Sequence, residues 1–84
     1  MTRDEALGLV TAVFREVAPD VDVAALDPGL PLHEEVDIDS MDFLNLVGGV
    51  QQRAGIEVPP SDYAMVSTLG GLVDYLVSAT PAQG

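Results

Sequence analysis

The sequence contains no cysteine, no lysine and no tryptophan, and its only basic residues are three arginines. Without cysteine the chain can form neither a disulfide framework nor a thiolate metal site. Acidic residues number 14 and bring the net charge to −11. A surface of this charge repels nucleic acid phosphates and anionic membranes, so neither is an expected partner. Its electrostatic field instead favours proteins with basic surfaces.

Long apolar runs are missing as well. No stretch approaches the ~20 apolar residues of a membrane span, and the N-terminus lacks the basic segment and apolar run of a signal peptide. We therefore expect a cytoplasmic protein. The 84 residues are 48% hydrophobic, which predicts one folded domain over 1–84 rather than disorder. We expect a monomer whose ordered core spans about 3–79, followed by a frayed tail at 80–84.

An amphipathic helix is predicted over 3–17, where apolar residues recur at three- and four-residue steps. Thr2 and Glu5 have the spacing of a capping box at its start. Pro19 lies just beyond its end, where it prevents the helix from continuing. The first element is therefore bounded at both ends by local signals.

A second long helix is predicted to begin at Asp39 or Ser40 and to end at Gly55. Aspartate is a favoured N-cap residue, and glycine readily adopts the left-handed backbone of a C-cap. A short helix is expected near 61–65. Thr68 is then placed to cap a last amphipathic helix.

The connection over 18–39 is long for a loop in a compact domain, and such loops are often functional. It contains the turn signal Asp27-Pro28-Gly29 and has room for a short helical turn. Strand signals are weak, so we predict an all-α fold: a small antiparallel four-helix bundle with three long helices and one short helix. The long loop joins its first two helices. The expected core residues are Leu7, Val10, Phe14, Val17, Leu46, Val50, Val58, Leu72, Val73 and Leu76.

Ser40 stands at the head of the second helix, and two interpretations apply to it. A serine in a first helical turn ordinarily satisfies free backbone N–H groups. The same helix end would also tolerate a phosphodiester attached to the hydroxyl, because N–H groups and the positive end of the helix dipole lie beside it. His33 is the single histidine and lies on the preceding loop, so a Ser/His/Asp hydrolase has little to build on. We predict no catalytic residues, and any enzyme that modifies Ser40 would have to supply the base.

An acidic cluster surrounds this serine. Its members are Glu34, Glu35, Asp37, Asp39 and Asp42. The alternating pair Asp37 and Asp39 resembles the start of an EF-hand calcium loop. The later positions do not fit, because Met41, Asp42 and Gly48 stand where such a loop has a ligand, a glycine and a glutamate, respectively. No metal site is therefore expected. A docking patch for basic partners and a simple solubilising surface both remain open.

Two glycine pairs lie within predicted helices, where glycine costs ~1 kcal/mol relative to alanine. Gly48-Gly49 admits either a closely packed neighbouring helix or space for an apolar guest between helices. For Gly70-Gly71 a fraying helix start is the favoured reason. A candidate groove for such an apolar guest comprises Leu46, Gly48, Val50, Met65 and Leu69.

Three segments together resemble the acyl carrier protein family: "DIDSMDFLNLV", "GIEVPPSDY" and "STLGGLVDYL". Asp39-Ser40-Met41 is similar to the family's Asp-Ser-Leu/Met motif. The segments Leu30-Pro31-Leu32, Val58-Pro59 and Asp74-Tyr75-Leu76 fall in family register without gaps. The resemblance implies that Ser40 carries 4'-phosphopantetheine, delivered from coenzyme A by a phosphopantetheinyl transferase. The terminal thiol of this arm would hold an acyl group as a thioester, which accounts for a carrier without cysteine.

The resemblance also implies that the helix beginning at Ser40 is the main docking face. The candidate docking residues are Asp39, Met41, Asp42, Phe43, Asn45 and Val47. The implied partners are the transferase, acyltransferases or ligases, and ketosynthase-type enzymes with basic docking surfaces. The protein itself would be a carrier and not an enzyme.

Two departures from the family pattern affect this interpretation. Asp37 stands where the family often has glycine, although aspartate tolerates left-handed backbone better than most residues. Several positions that are often acidic in carriers of fatty acid synthases are neutral here: Asn45, Gln51, Gln52 and Ala64. This favours a specialised carrier in polyketide, specialised fatty acid or other secondary-metabolite biosynthesis. Peptidyl and aminoacyl carriers, including D-alanyl carriers, are alternatives, as is an unmodified acidic helical adaptor.

Overall fold

The computed structural model describes residues 1–79, which fold into α-helices and 3₁₀ helices. The α-helices are α1 (Arg3–Val17), α2 (Leu32–Glu35), α3 (Ser40–Ala54) and α4 (Leu69–Ala79), and the 3₁₀ helices span Val23–Ala25 and Pro60–Val66. The predicted all-α bundle is confirmed, with the short helix after α3 formed as a 3₁₀ helix. The predicted frayed tail at 80–84 lies outside the described residues.

Local hydrogen bonds define both ends of α1 as predicted. The Glu5 backbone N–H donates to Thr2 Oγ1 (3.1 Å), and the Thr2 N–H donates to Glu5 Oε1 (2.9 Å), which completes the capping box. At the other end the Ala18 N–H donates to the Phe14 carbonyl (2.7 Å). Because these bonds join residues three or four positions apart, the sequence alone was sufficient to locate the helix.

The capping box makes the start of α1 sensitive to acid. The Thr2 backbone N–H, helped by the Thr2 hydroxyl, lowers the pKa of Glu5 below its ordinary value. The unfolded chain lacks these bonds, so their stabilisation is present above the unfolded pKa and is lost as pH falls through the folded pKa. We expect Glu5→Gln, which keeps an acceptor oxygen but does not titrate, to lose less stability on acidification than the wild type. Denaturant unfolding of both proteins between neutral pH and about pH 3 measures this; equal losses would contradict it.

One continuous apolar core joins the long helices, the second 3₁₀ helix and the loop. Its buried residues are Ala6, Val10, Val13, Phe14, Val23, Leu32, Leu46, Val47, Val50, Val58, Val66, Leu69, Leu72, Val73 and Leu76. Two core predictions need correction: Leu7 is 40% exposed, and Val17 is only partly buried at the end of α1. The buried face of α1 is centred on Ala6 and Val10, and Leu7 lies at the margin of that face.

The long connection is held to the beginning of α4. The predicted turn at Asp27 forms, with the Leu30 N–H donating to the Asp27 carbonyl (3.2 Å). The Gly70 N–H donates to the Pro28 carbonyl (2.9 Å), and the Leu32 N–H donates to the Ser67 carbonyl (2.8 Å). These bonds satisfy backbone groups where α2 and α4 meet, and they fix the loop that leads into α3.

Three of the four paired glycines lie at sites of close packing. A Cβ on Gly49 would lie 2.7 Å from Val13 Cγ1 on α1, whereas a Cβ on Gly48 would meet nothing within 4 Å. Close helix approach therefore explains only the second glycine of that pair. The expectation that Gly70-Gly71 marks a fraying helix start is wrong. A Cβ on Gly70 would lie 2.9 Å from the Pro28 carbonyl oxygen, and one on Gly71 would collide with the Met65 carbonyl oxygen.

Ion pairs on the surface connect α1 to the other long helices. Arg3 pairs with Asp74 on α4, and Arg53 on α3 pairs with Glu16. All four side chains are substantially exposed, so each pair contributes only about 0–1 kcal/mol.

Within residues 1–79, no helix combines the length and the apolar character needed to cross a bilayer.

Candidate functional site

Ser40 is the first residue of α3, and its hydroxyl is not needed to cap that helix. The N-cap is Asp39, whose Oδ1 accepts the Asp42 N–H (2.9 Å). The first bond of the helix backbone runs from the Phe43 N–H to the Asp39 carbonyl (3.0 Å). The Ser40 side chain is exposed and makes no hydrogen bond within the described chain. The ordinary capping interpretation of this serine is therefore wrong, because its neighbour has that role.

Ser40 lies at the N-terminus of α3, which is the positive end of the helix dipole. The helix runs for 15 residues and ends at Gly55, which has the left-handed φ of 68° expected of a C-cap glycine. The backbone N–H groups of Ser40 and Met41 precede the first intrahelical bond and face outward. An anion attached at Ser40 would be stabilised by these groups and by the helix dipole, by typically 0.3–1 kcal/mol for the dipole.

A groove of about 630 Å³ opens beside Ser40, between α2, the start of α3 and the second 3₁₀ helix. Its lining residues are Leu32, His33, Ile38, Asp39, Ser40, Phe43, Leu44, Tyr63, Ala64 and Ser67. The rings of Phe43 and Tyr63 meet edge to face, with centroids 5.8 Å apart. Ser40 therefore stands at the edge of a mostly apolar hollow of the size that small ligands occupy.

The structure does not gather the predicted groove residues around this hollow. Leu46, Val50 and Leu69 belong to the packed core, with exposures of 1%, 0% and 5%. Met65 is 60% exposed and lines a different depression against α4, and Gly48 lies outside both. The buried face of α3 turns toward α1, so the groove forms on the adjacent face. The sequence did contain a signal for the groove, which was the spacing from Ser40. Phe43 and Leu44 line the groove, and residues three and four positions further along a helix share its side.

Asp39 precedes α3 as its N-cap, and the other predicted docking residues lie on α3; one of them needs correction. Met41 and Asn45 are exposed, as is Asp39, while Asp42 and Phe43 are partly buried. Val47 is only 1% exposed, because it points into the core, so it does not belong to an accessible surface. Leu44 was overlooked: it is 49% exposed, and Met41, one helical turn earlier, is 71% exposed. These two side chains form an apolar strip beside the serine.

The acidic cluster is not a uniformly solvated face. Glu35 Oε1 accepts the Asp27 backbone N–H (2.6 Å), and its other carboxylate oxygen is buried without a partner in the described chain. Five carboxylates line a hollow between the end of α1 and the start of α3: Asp20, Asp22, Glu35, Asp37 and Asp42. Within residues 1–79, no group of three or more His, Asp or Glu side chains is arranged to hold a metal ion.

The second 3₁₀ helix, which forms one wall of the groove, is tied to α4. The Tyr75 hydroxyl donates to Asp62 Oδ2 (2.8 Å), and this bond raises the pKa of Tyr75 because it stabilises the protonated phenol beside a carboxylate. Just before this helix, Gln51 Oε1 accepts the Val58 backbone N–H (2.6 Å). One of the neutral positions noted on the docking helix therefore has a structural role.

Comparison with known proteins identifies the class of protein that this fold and site define. The family model described as a phosphopantetheine attachment site matches residues 9–76. The chain therefore belongs to the phosphopantetheine-binding acyl carrier protein family. Its members are carriers without catalysis of their own, and their general partners are phosphopantetheinyl transferases and acyl-handling enzymes.

Individual relatives match nearly the whole chain. Acyl carrier protein 2 of Ralstonia nicotianae is 30% identical over 82 residues, which cover 98% of this chain and all of that protein. The acyl carrier protein of Acidothermus cellulolyticus is 24% identical over 80 residues, covering 95% and 94% of the two chains. The solved structure of the acyl carrier protein from Enterococcus faecalis has a TM-score of 0.74 at 25% identity and covers 94% of this chain. The predicted family, fold and phosphopantetheine cofactor are thereby confirmed.

Proposed function

We propose that Ser40 carries the 4'-phosphopantetheine arm and that the protein presents acyl groups, bound to the arm as thioesters, to partner enzymes. The observation that supports this most directly is the Ser40 hydroxyl itself. It is exposed, it makes no hydrogen bond within the described chain, and it opens onto the groove at the positive end of α3. These residues fit the group, because the helix terminus accommodates a phosphodiester. When bound, the arm supplies the thiol that the cysteine-free chain lacks.

Attachment joins Ser40 Oγ to a phosphorus atom of coenzyme A and breaks the phosphorus–oxygen bond to adenosine bisphosphate, which leaves. The chain offers Ser40 as nucleophile but does not provide an oriented base. His33 lines the same groove but does not hydrogen-bond to Ser40. The transferase must therefore take the hydroxyl proton.

The surface around Ser40 favours partners with a basic rim and an apolar centre. Met41 and Leu44 supply exposed apolar area, and Asp37 and Asp42 supply negative charge at the flank. Arg53 lies near the other end of α3, roughly 20 Å along the helix axis from Ser40. We infer that the transferase, acyltransferases or ligases, and ketosynthase-type enzymes bind here, and that the protein acts in the cytoplasm as a single-domain monomer.

The composition of the docking face supports a specialised pathway. Asn45, Gln52 and Ala64 are exposed and neutral, at positions where carriers of fatty acid synthases are often acidic. We infer that the cargo belongs to polyketide, specialised fatty acid or other secondary-metabolite biosynthesis. The relatives described above are acyl carrier proteins, which favours acyl cargo over peptidyl or D-alanyl cargo and a carrier over an unmodified adaptor.

Restoring acidic charge should improve recognition by a housekeeping fatty acid synthase. We expect the loaded wild type to be elongated poorly and the combined variant Asn45→Asp, Gln52→Glu and Ala64→Asp to be elongated at least several-fold faster, because close charge pairs raise association rates. Initial elongation rates at low salt measure this. Ser78→Asp, which adds charge to an exposed site on α4, is the matched control. Efficient elongation of the wild type would overturn the specialised-carrier proposal.

The carrier role is tested by intact mass. The purified protein is incubated with coenzyme A and a broad-specificity phosphopantetheinyl transferase, alongside a known carrier. We expect a gain of one phosphopantetheine group per chain. If the known carrier is modified under the same conditions and this chain is not, even with several transferases, Ser40 is not the attachment site.

A further inference from the structure

The groove beside Ser40 contains polar atoms that the fold itself leaves unused. Within the described chain, the His33 imidazole and the Tyr63 hydroxyl have no hydrogen-bond partner, although both side chains line the groove. Ser67 Oγ donates to the Ala64 carbonyl (2.9 Å), which leaves its oxygen lone pairs free to accept. Together with Asp39 and Ser40, these three polar side chains line a hollow whose remaining lining residues are apolar.

These groups make the groove ill-suited to a saturated chain. Such a chain would cover the apolar walls well, but it would also displace water from the polar atoms without replacing its hydrogen bonds. Leaving a buried donor unsatisfied is costly, and a site whose polar groups match a substrate hydroxyl discriminates strongly against the analogue that lacks it. The cost applies to Tyr63 in particular, because its hydroxyl has no partner within the described chain and the residue is already partly buried.

We propose that this groove binds an acyl chain bearing hydroxyl or keto oxygens, and that His33 and Tyr63 select it by donating hydrogen bonds. The inference rests on the proposed attachment of the arm at Ser40. The imidazole has an N–H donor whether or not it is protonated, and the phenol has an O–H donor. The apolar walls, including the Phe43 ring that packs edge to face against Tyr63, contact the carbon segments between oxygens.

The phosphopantetheine arm also carries amide and hydroxyl groups, so the same donors could be used by the arm instead of the cargo. Hydrogen bonds to the arm are distinguished from hydrogen bonds to the cargo by comparing the free-thiol form with acylated forms. The chain has a single histidine and two tyrosines, which makes their NMR signals easy to follow. Tyr75→Phe distinguishes the two tyrosine signals.

The experiment loads Ser40 with hexanoyl, 3-hydroxyhexanoyl or 5-oxohexanoyl phosphopantetheine from the corresponding acyl coenzyme A, and intact mass verifies each product. Cleavage by hydroxylamine is then measured relative to the free pantetheine thioester of the same acyl group. We expect at least one oxygenated thioester to be protected about two- to tenfold more than the hexanoyl thioester, as expected for one or two hydrogen bonds. The His33 and Tyr63 signals should shift on acylation relative to the free-thiol form.

The variants His33→Leu and Tyr63→Phe should each reduce the difference between oxygenated and hexanoyl cargo, and the double variant should abolish it. Ser61→Ala is the matched control, because Ser61 is exposed on the same 3₁₀ helix and does not line the groove. Equal protection of all three thioesters would overturn this inference alone. So would His33 and Tyr63 signals that have the same chemical shifts in the free-thiol form as in the acylated forms. Failure to load Ser40 at all would overturn the proposed function and this inference together.

Discussion

Replacing Ser40 by alanine is expected to abolish arm attachment while leaving the fold unchanged. The two effects separate because the serine hydroxyl is exposed and makes no hydrogen bond within the described chain, whereas the cap of α3 is provided by Asp39. The free energy of unfolding should therefore change by no more than about 0.5 kcal/mol. Asp39→Ala should cost about 1 kcal/mol, because it removes the acceptor of the Asp42 N–H.

Intact mass after transferase treatment and denaturant unfolding together measure this separation. Ser78→Ala is the matched control, since it removes an exposed hydroxyl on α4 and should load fully. A Ser40→Ala protein that still gains a phosphopantetheine group would place the attachment site elsewhere. One that fails to load because it is unfolded would show that the serine has a structural role which these contacts do not explain.

Adding one methyl group at Gly71 is expected to destabilise the protein, whereas the same change at Gly48 should stabilise it. A Cβ on Gly71 would collide with the Met65 carbonyl oxygen and approach Thr68 Oγ1 within 2.9 Å. That hydroxyl accepts the Gly71 N–H as the cap of α4 (2.9 Å). Backbone cannot yield as a flexible side chain does, so we expect a cost of about 1–3 kcal/mol.

Gly48→Ala is the matched control, because nothing lies within 4 Å of its added Cβ. Alanine is the better helix former by about 1 kcal/mol, so the variant should be more stable than the wild type. In a domain of this size each kcal/mol shifts Tm by roughly 4–8 °C. A Gly71→Ala protein as stable as the wild type would show that the second 3₁₀ helix, which carries Tyr63 and one wall of the groove, moves freely relative to α4.

The sequence alone was sufficient to determine the ends of α1 and α3 and the position of the serine. The capping box of Thr2 and Glu5 and the cap from Asp39 to Asp42 both join residues three positions apart. The left-handed C-cap at Gly55 requires only that residue's own backbone freedom. The family motif around Ser40 is equally local. Signals of this kind are independent of how the helices pack.

The tertiary structure alone decided what surrounds Ser40. The groove combines His33 from the loop, Phe43 from α3 and Tyr63 from the second 3₁₀ helix, which no local pattern connects. Val47 was expected on the docking face, yet it is buried in the core. On the same helix, Gly49 lets α3 approach Val13 closely. Helical periodicity shows which residues share a face but not which neighbour covers that face.

The same limit explains the polar and glycine residues whose roles were not anticipated. Glu35 and Gln51 each accept a backbone N–H, from Asp27 and Val58 respectively, and so are partly structural rather than freely solvated. Gly71 is required by the Met65 carbonyl of the preceding element and not by its own helix. Composition predicts that polar side chains and glycines occur, but only the folded arrangement determines which backbone group lies next to each of them.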